Sequence, residues 1–195
     1  MLWAWTVPGW STKDELRALY RAAAAAGSPG DVAEVGSWKG RSTIVLARAL
    51  RDANVIDAKV WAIDHRVGSD EEEHREILAK EGTTLEAFRA NVAAAGVGDR
   101  VEPIVMSSLE GAAELARRGV VLRLVFIDGA HDEESVRADL RAFLPLVRAG
   151  GLIAMHDCQA ENADFPGVWL AYRSELQGRV DVVEHTDALL VVRVR

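Results

Sequence analysis

Cysteine is nearly missing from this chain: Cys158 is the only one. No internal disulfide can form, which fits a reducing compartment. Apolar runs are short, and none approaches the roughly 20 residues of a membrane-spanning helix, so no membrane partner is expected. Positive charge is in deficit as well. Lys and Arg number 23 against 30 Asp and Glu, a formal charge of −7, whereas a nucleic-acid partner calls for clustered cations. No nucleic acid is therefore expected either. Met1-Leu2-Trp3-Ala4-Trp5 has no basic region and Pro8-Gly9 follows soon after, a poor secretory signal; the expected localisation is cytoplasmic. Repeats, low-complexity tracts, linkers and the Gly-x-Gly-x-x-Gly dinucleotide fingerprint are absent too. The 195 residues suffice for one well-packed domain and are few for two. Residues 1–195 are read as one domain, with an aromatic and helical N-terminal segment, residues 1–30, packed on it.

What is present alternates. A helix starts at Ser11-Thr12-Lys13-Asp14-Glu15 and is stopped by Gly27-Ser28-Pro29-Gly30. Strands are expected at residues 32–35, 60–63, 101–105, 121–127, 152–155, 180–184 and 189–194. Helices are expected between them at 42–51, 84–95, 109–117, 133–147 and 169–176. Strict alternation implies right-handed crossovers and a parallel sheet covered by helices on both faces. The last two strands, joined by a short turn, must pair antiparallel. The expected fold class is α/β: a Rossmann-like, seven-stranded, mostly parallel sheet with a terminal antiparallel hairpin.

The densest motif is Glu34-Val35-Gly36-Ser37-Trp38-Lys39-Gly40-Arg41-Ser42-Thr43. It reads as a strand end, a tight loop and a helix N-terminus. Gly36 and Gly40 let the backbone approach a ligand, and the helix start offers N–H groups to an anion. Glu34 would repel a pyrophosphate, so a ligand tail carrying both ammonium and carboxylate suits the loop better. Ligands of open α/β sheets bind beyond the carboxyl ends of strands. Those positions hold Asp64-His65, Met106-Ser107-Ser108, Asp128 to His131, and His156-Asp157-Cys158. Asp64 is placed to accept from ribose hydroxyls or to cap a turn. Asp128 and Asp157 on neighbouring strands, with His156 as a third ligand, suit a hard divalent cation; His156 can equally be a hydrogen-bonded core histidine. One cysteine cannot build a zinc cage. The N-terminal tryptophans suit a substrate mouth, a dimer contact or a cap on the sheet. Residues 69–73 form an acidic run, read as a solvated helix start or a mobile lid.

The motif from Glu34 to Thr43 resembles motif I of the class I S-adenosylmethionine-dependent methyltransferases. Phe126-Ile127-Asp128-Gly129-Ala130-His131 and Ala154-Met155-His156-Asp157-Cys158 resemble the metal site of the small-molecule and sugar O-methyltransferases, including the macrocin type and cephalosporin hydroxylase-like proteins. The resemblance implies S-adenosylmethionine as cofactor, held by Glu34, Gly36, Trp38, Gly40, Ser42, Asp64, Ser107, Ser108 and Asp128. It implies Mg2+ (magnesium) on Asp128, His156 and Asp157, with His156 standing where the family has an acid, and His131 as general base. The implied reaction is methyl transfer to a hydroxyl of a sugar or glycosylated small molecule; the N-terminal aromatics are read separately as the contact of a homodimer. Two other readings stay open: a nicotinamide-dependent oxidoreductase, and a nucleoside-binding module without catalysis.

Overall fold

The computed structural model describes residues 6–27, 29–66, 79, 82–160 and 164–195. Among these residues, seven strands and six α-helices alternate. In chain order they are α1 (Lys13–Ala25), β1 (Asp31–Val35), α2 (Arg41–Asp52), β2 (Val60–Ile63), α3 (Leu85–Ala94), β3 (Val101–Ile104), α4 (Ser108–Arg117), β4 (Leu122–Ile127), α5 (Glu133–Phe143), β5 (Val147–Met155), α6 (Pro166–Glu175), β6 (Val180–Thr186) and β7 (Leu189–Val194). The strands form one sheet in the order β3-β2-β1-β4-β5-β7-β6. β1 to β5 run parallel, while β7 is antiparallel to both β5 and β6. The expected architecture is the one found. Strand order reverses between β1 and β4, and a crevice opens there past the strand ends.

Alternation along each strand divides the core in two. Val32, Leu124, Phe126, Leu152 and Val191 face α1, α2 and α3. Ala33, Val125, Ile127, Ile153 and Val192 face α4, α5 and α6. β4 is buried along its whole length, as the central strand of a doubly covered sheet must be. Arg123, buried within it, donates from Nε to the Gly30 carbonyl at 2.6 Å. α1 carries its apolar stripe at Leu16, Leu19 and Ala23. Its start is fixed by a capping box: Glu15 N donates to the Thr12 hydroxyl and Thr12 N to the Glu15 carboxylate, satisfying two otherwise orphaned amides.

One stretch departs from expectation. The helix expected over 133–147 ends at Phe143, and Leu144–Leu146 makes a single 3₁₀ turn. Pro145 lacks the N–H that another α-turn would need. Val147 is then not a helical residue but the start of β5, pairing with Leu122. A register shift follows before Leu152 meets Leu124, and Gly150 and Gly151 absorb it. A Cβ on Gly151 would lie 2.9 Å from the Arg148 carbonyl.

Candidate functional site

A cleft of about 1200 Å3 lies past the carboxyl ends of β1, β2, β4 and β5. Its first wall is the loop between β1 and α2. Gly36 has φ +81, and a Cβ there would fall 2.1 Å from the Asp128 carbonyl; only glycine lets the two strand ends meet so closely. Gly40, at φ +91, precedes α2 without a side-chain cap, so the first amides of that helix have no side-chain acceptor of the usual kind. Asp64, at the end of β2, accepts from Ser37 N (3.0 Å) and Trp38 N (2.7 Å) through one oxygen. Its other oxygen accepts from Arg66 N at 2.6 Å. Asp64 therefore shapes the loop while lining the cleft. Arg66 is buried behind it, donating to the Trp38 carbonyl at 2.8 Å with its guanidinium 4.0 Å from the Phe88 ring centre. Desolvation lowers its pKa.

Glu34 is placed differently from expectation. It points into the face covered by α2, fully buried, and accepts from the Thr43 hydroxyl. Burial pushes its pKa up to about 7, against the lowering effect of Ser42 and Thr43. It supports the loop from beneath and does not line the cleft; Ser42 does line it. The two serines after β3 also have partners within the chain. Ser107 caps α4 in a capping box with Glu110, and Ser108 hydrogen-bonds Asp139, a buried acid of α5 whose pKa desolvation raises to about 6. Both serines and Asp139 line the cleft. Trp38 sits at the mouth, its ring centre 5.6 Å from that of Trp10. Trp3, Trp5 and the acidic run at 69–73 lie outside the described residues.

The cleft floor is built by β4 and β5, whose parallel pairing carries the His156 N to Ile127 carbonyl bond at 3.0 Å. That register sets Asp128 beside His156-Asp157. Asp157 takes a left-handed φ of 54, a conformation uncommon in residues other than glycine. His131 Nε2 lies 3.1 Å from Asp157 Oδ2. The His131 ring is backed by Phe165, at 4.2 Å between centroids. α6 closes on this segment through Gly167, where a Cβ would stand 2.5 Å from the His131 carbonyl.

His156 is held at both ends of its ring. Nδ1 lies 2.9 Å from Asp157 Oδ2 and 3.2 Å from Asp128 Oδ1, and Nε2 lies 3.1 Å from Glu15 Oε2. Burial opposes a charged ring, but the carboxylates of Asp128, Asp157 and Glu15 outweigh it and hold the His156 pKa far above the imidazole range. Asp157 is held well below the carboxylate range, because hydrogen bonds from His131 and His156 overcome its desolvation. The expected Mg2+ ligands Asp128, His156 and Asp157 lie side by side, with His156 Nδ1 within 3.2 Å of both carboxylates; a ring giving its Nε2–H to Glu15 keeps Nδ1 as the atom that could face an ion. Asp128, His131 and Asp157 also bring donor atoms within 4.8 Å of one another. An ion there would take His131 as ligand and compete for the Asp157 oxygen that both histidines share. Burial pushes the Cys158 thiol up to about 12, unsuited to a nucleophile at neutral pH.

Glu15, Arg66, Asp139 and Phe165 were not anticipated. The Thr-x-x-Glu spacing at Thr12 and Glu15 signals a cap; that the same carboxylate reaches His156 follows only from packing α1 against the hairpin.

Comparison with known proteins gives a consistent result. A family described as "Methyltransferase domain" matches residues 33–158. A Streptomyces olivaceus protein named 8-demethyl-8-(2,3-dimethoxy-alpha-L-rhamnosyl)-tetracenomycin-C 4'-O-methyltransferase is 28% identical over 168 residues, which is 79% of this chain and 62% of that one. The chain thus spans less than two thirds of that relative's length. An O-methyltransferase from Bacillus cereus, solved in complex with SAH, superposes at a TM-score of 0.72 with 21% identity, over 98% of this chain and 86% of that one. The O-methyltransferase TomG from Streptomyces achromogenes, solved with SAM, gives 0.68 and 22%, over 95% and 81%.

Proposed function

The chain belongs to the methyltransferase-domain family, and from that premise we propose that it is an S-adenosylmethionine-dependent O-methyltransferase acting on a hydroxyl of a sugar or glycosylated small molecule. Membership removes the reason for a nicotinamide-dependent oxidoreductase. The observation that carries the reading is the His131–Asp157 pair, 3.1 Å apart on the cleft floor. The name of the Streptomyces olivaceus relative, a methyltransferase of a rhamnosyl compound, supports a sugar acceptor.

The residues present suit the cofactor. The uncapped start of α2 would receive its carboxylate, Asp128 its ammonium, Asp64 its ribose, and Ser108 with Asp139 its adenine. When bound, S-adenosylmethionine supplies a methyl group already activated on a sulfonium. What the chain adds is alignment of the acceptor, a contribution that can reach about 7–11 kcal/mol. It also supplies a base. With Nε2–H donated to Asp157, the basic atom of His131 is Nδ1, which takes the hydroxyl proton. Asp157 then stabilises the imidazolium, as the acid of a Ser-His-Asp triad does. Phe165 fixes the ring plane. No step is assigned to Mg2+. A homodimer through the N-terminal aromatics is a separate proposal, and a purely monomeric sedimentation profile rejects it.

The test is a transfer assay with radiolabelled S-adenosylmethionine and a panel of rhamnosides. Label in an acid-stable ether of the sugar supports the reading. Cofactor binding without transfer to any hydroxyl favours the binding module.

A further inference from the structure

Two bulky residues beside the cleft hold a backbone conformation that favours glycine. Trp38 has φ 42 and Arg66 has φ 67, each a strained choice for a residue with a Cβ. The two are bonded to each other and to the same acid. Arg66 Nη1 donates to the Trp38 carbonyl at 2.8 Å. Trp38 N reaches one Asp64 oxygen at 2.7 Å, and Arg66 N reaches the other at 2.6 Å. The Arg66 side chain is 2% exposed and stacks on Phe88. Phe88 in turn packs on Gly40, where a Cβ would stand 3.1 Å from its ring. Arg66 Nε has no hydrogen-bond partner among the described residues, so burying this cation costs stability. A strained, buried cation with an unused donor is a poor device for stability alone. Strain of this kind persists where the surroundings fix it, and it gathers at ligand sites.

What these contacts fix is the loop between β1 and α2. The carbonyls of Ser37, Trp38 and Lys39 accept from Gly40 N at 2.8 Å, from Arg66 at 2.8 Å and from Asn91 of α3 at 2.9 Å. Three successive acceptors are thus drawn to partners within the chain, and the uncapped first amides of α2 are left to meet an anion. A loop already shaped for its ligand spends less of the binding energy on ordering. We infer that Arg66 is a positioning residue for the cofactor: its side chain locks the Trp38 turn and Asp64 into the shape that receives S-adenosylmethionine before the ligand arrives. This rests on the proposed reading for the identity of the ligand, but not for the lock itself.

Arg66→Met keeps an unbranched side chain against Phe88 and removes both the charge and the donors. Losing a hydrogen bond from a charged donor corresponds to about 10- to 100-fold in an equilibrium constant. Calorimetry well below the melting temperature is expected to show S-adenosylhomocysteine affinity weakened by that factor. Arg66→Lys, which keeps the charge and a donor, recovers part of it, and it carries the same readings should Arg66→Met not fold. Arg48→Met loses a 2.8 Å bond to the Ala95 carbonyl, away from the cleft, and is expected to leave the affinity unchanged. Hydrogen exchange of the ligand-free chain reads the lock without any cofactor. In the Arg66 variants the Ser37 and Trp38 amides, which Asp64 holds, are expected to exchange faster while β4 keeps its protection. Unchanged affinity in the Arg66 variants, or an equal loss in Arg48→Met, overturns the positioning role. Ser37 and Trp38 amides that exchange no faster, or an acceleration that extends equally to β4, overturn the lock. If the wild type binds no S-adenosylhomocysteine, the proposed function fails, and the exchange pattern still decides the lock.

Discussion

Glu34 carries a cost that its position in the motif conceals. Buried under α2, it has a pKa of about 7 against an ordinary value of 4.5. The folded chain then keeps a proton that the unfolded chain has already lost over that interval. The contribution to stability is full below about pH 4.5 and falls as pH rises to about 7, a loss of ~3 kcal/mol. Glu34→Gln removes this dependence. The gap in melting temperature between variant and wild type is expected to widen in the variant's favour from pH 5 to 7.5; a constant gap would mean that Glu34 ionises normally. His131 is the other decisive residue. His131→Ala should lower turnover by about 10²–10⁴-fold with S-adenosylhomocysteine affinity nearly kept, and an unchanged rate removes it from the mechanism. The sequence placed Asp128, His131, His156 and Asp157 at adjacent strand ends, and they do meet. It left open whether Asp64 faces a ribose or caps a turn, and it could not say that Glu34 would turn away from the cleft. Those outcomes depend on which face each side chain takes, and on contacts such as Arg66 N to Asp64 and the Thr43 hydroxyl to Glu34 that only the folded loop brings about.

Among the elements, the β1–α2 loop has the tightest tolerance. A Cβ on Gly36 would meet the Asp128 carbonyl at 2.1 Å, at φ +81. The backbone conformation alone costs about 1–2 kcal/mol for a non-glycine residue, and the collision forces β1 and β4 apart at the switch point. Gly36→Ala should lower the melting temperature well beyond Gly96→Ala, where φ is +66 but nothing lies within 4 Å. Equal shifts for both would mean that backbone dihedral, not close approach, is what Gly36 provides. β6 runs two residues past its expected end at Glu184, to Thr186, while element boundaries were legible where an apolar period met a cap, as at α1. The stretch from Phe143 to Leu152 was not. Its apolar residues fit a helical period, while Pro145 and strand pairing with Leu122 decide otherwise, and pairing is not local information.

For the whole molecule, topology carries the account. The order β3-β2-β1-β4-β5-β7-β6 puts the switch point between the Gly36 loop and Asp128, so the loop and the His131–Asp157 pair line one cleft. No helix among the described residues is long and apolar enough to cross a membrane. A ligand that binds only the folded chain at a hundred times its dissociation constant adds about 2.7 kcal/mol, which for a chain of this size is roughly 5–10 °C in melting temperature. S-adenosylhomocysteine is expected to give that shift in thermal denaturation, and NAD+ none. The most direct measurement is a calorimetric titration of the purified protein with S-adenosylhomocysteine. One site per chain with micromolar affinity is the expected result; no detectable heat, with no site filled, would contradict the account at its centre.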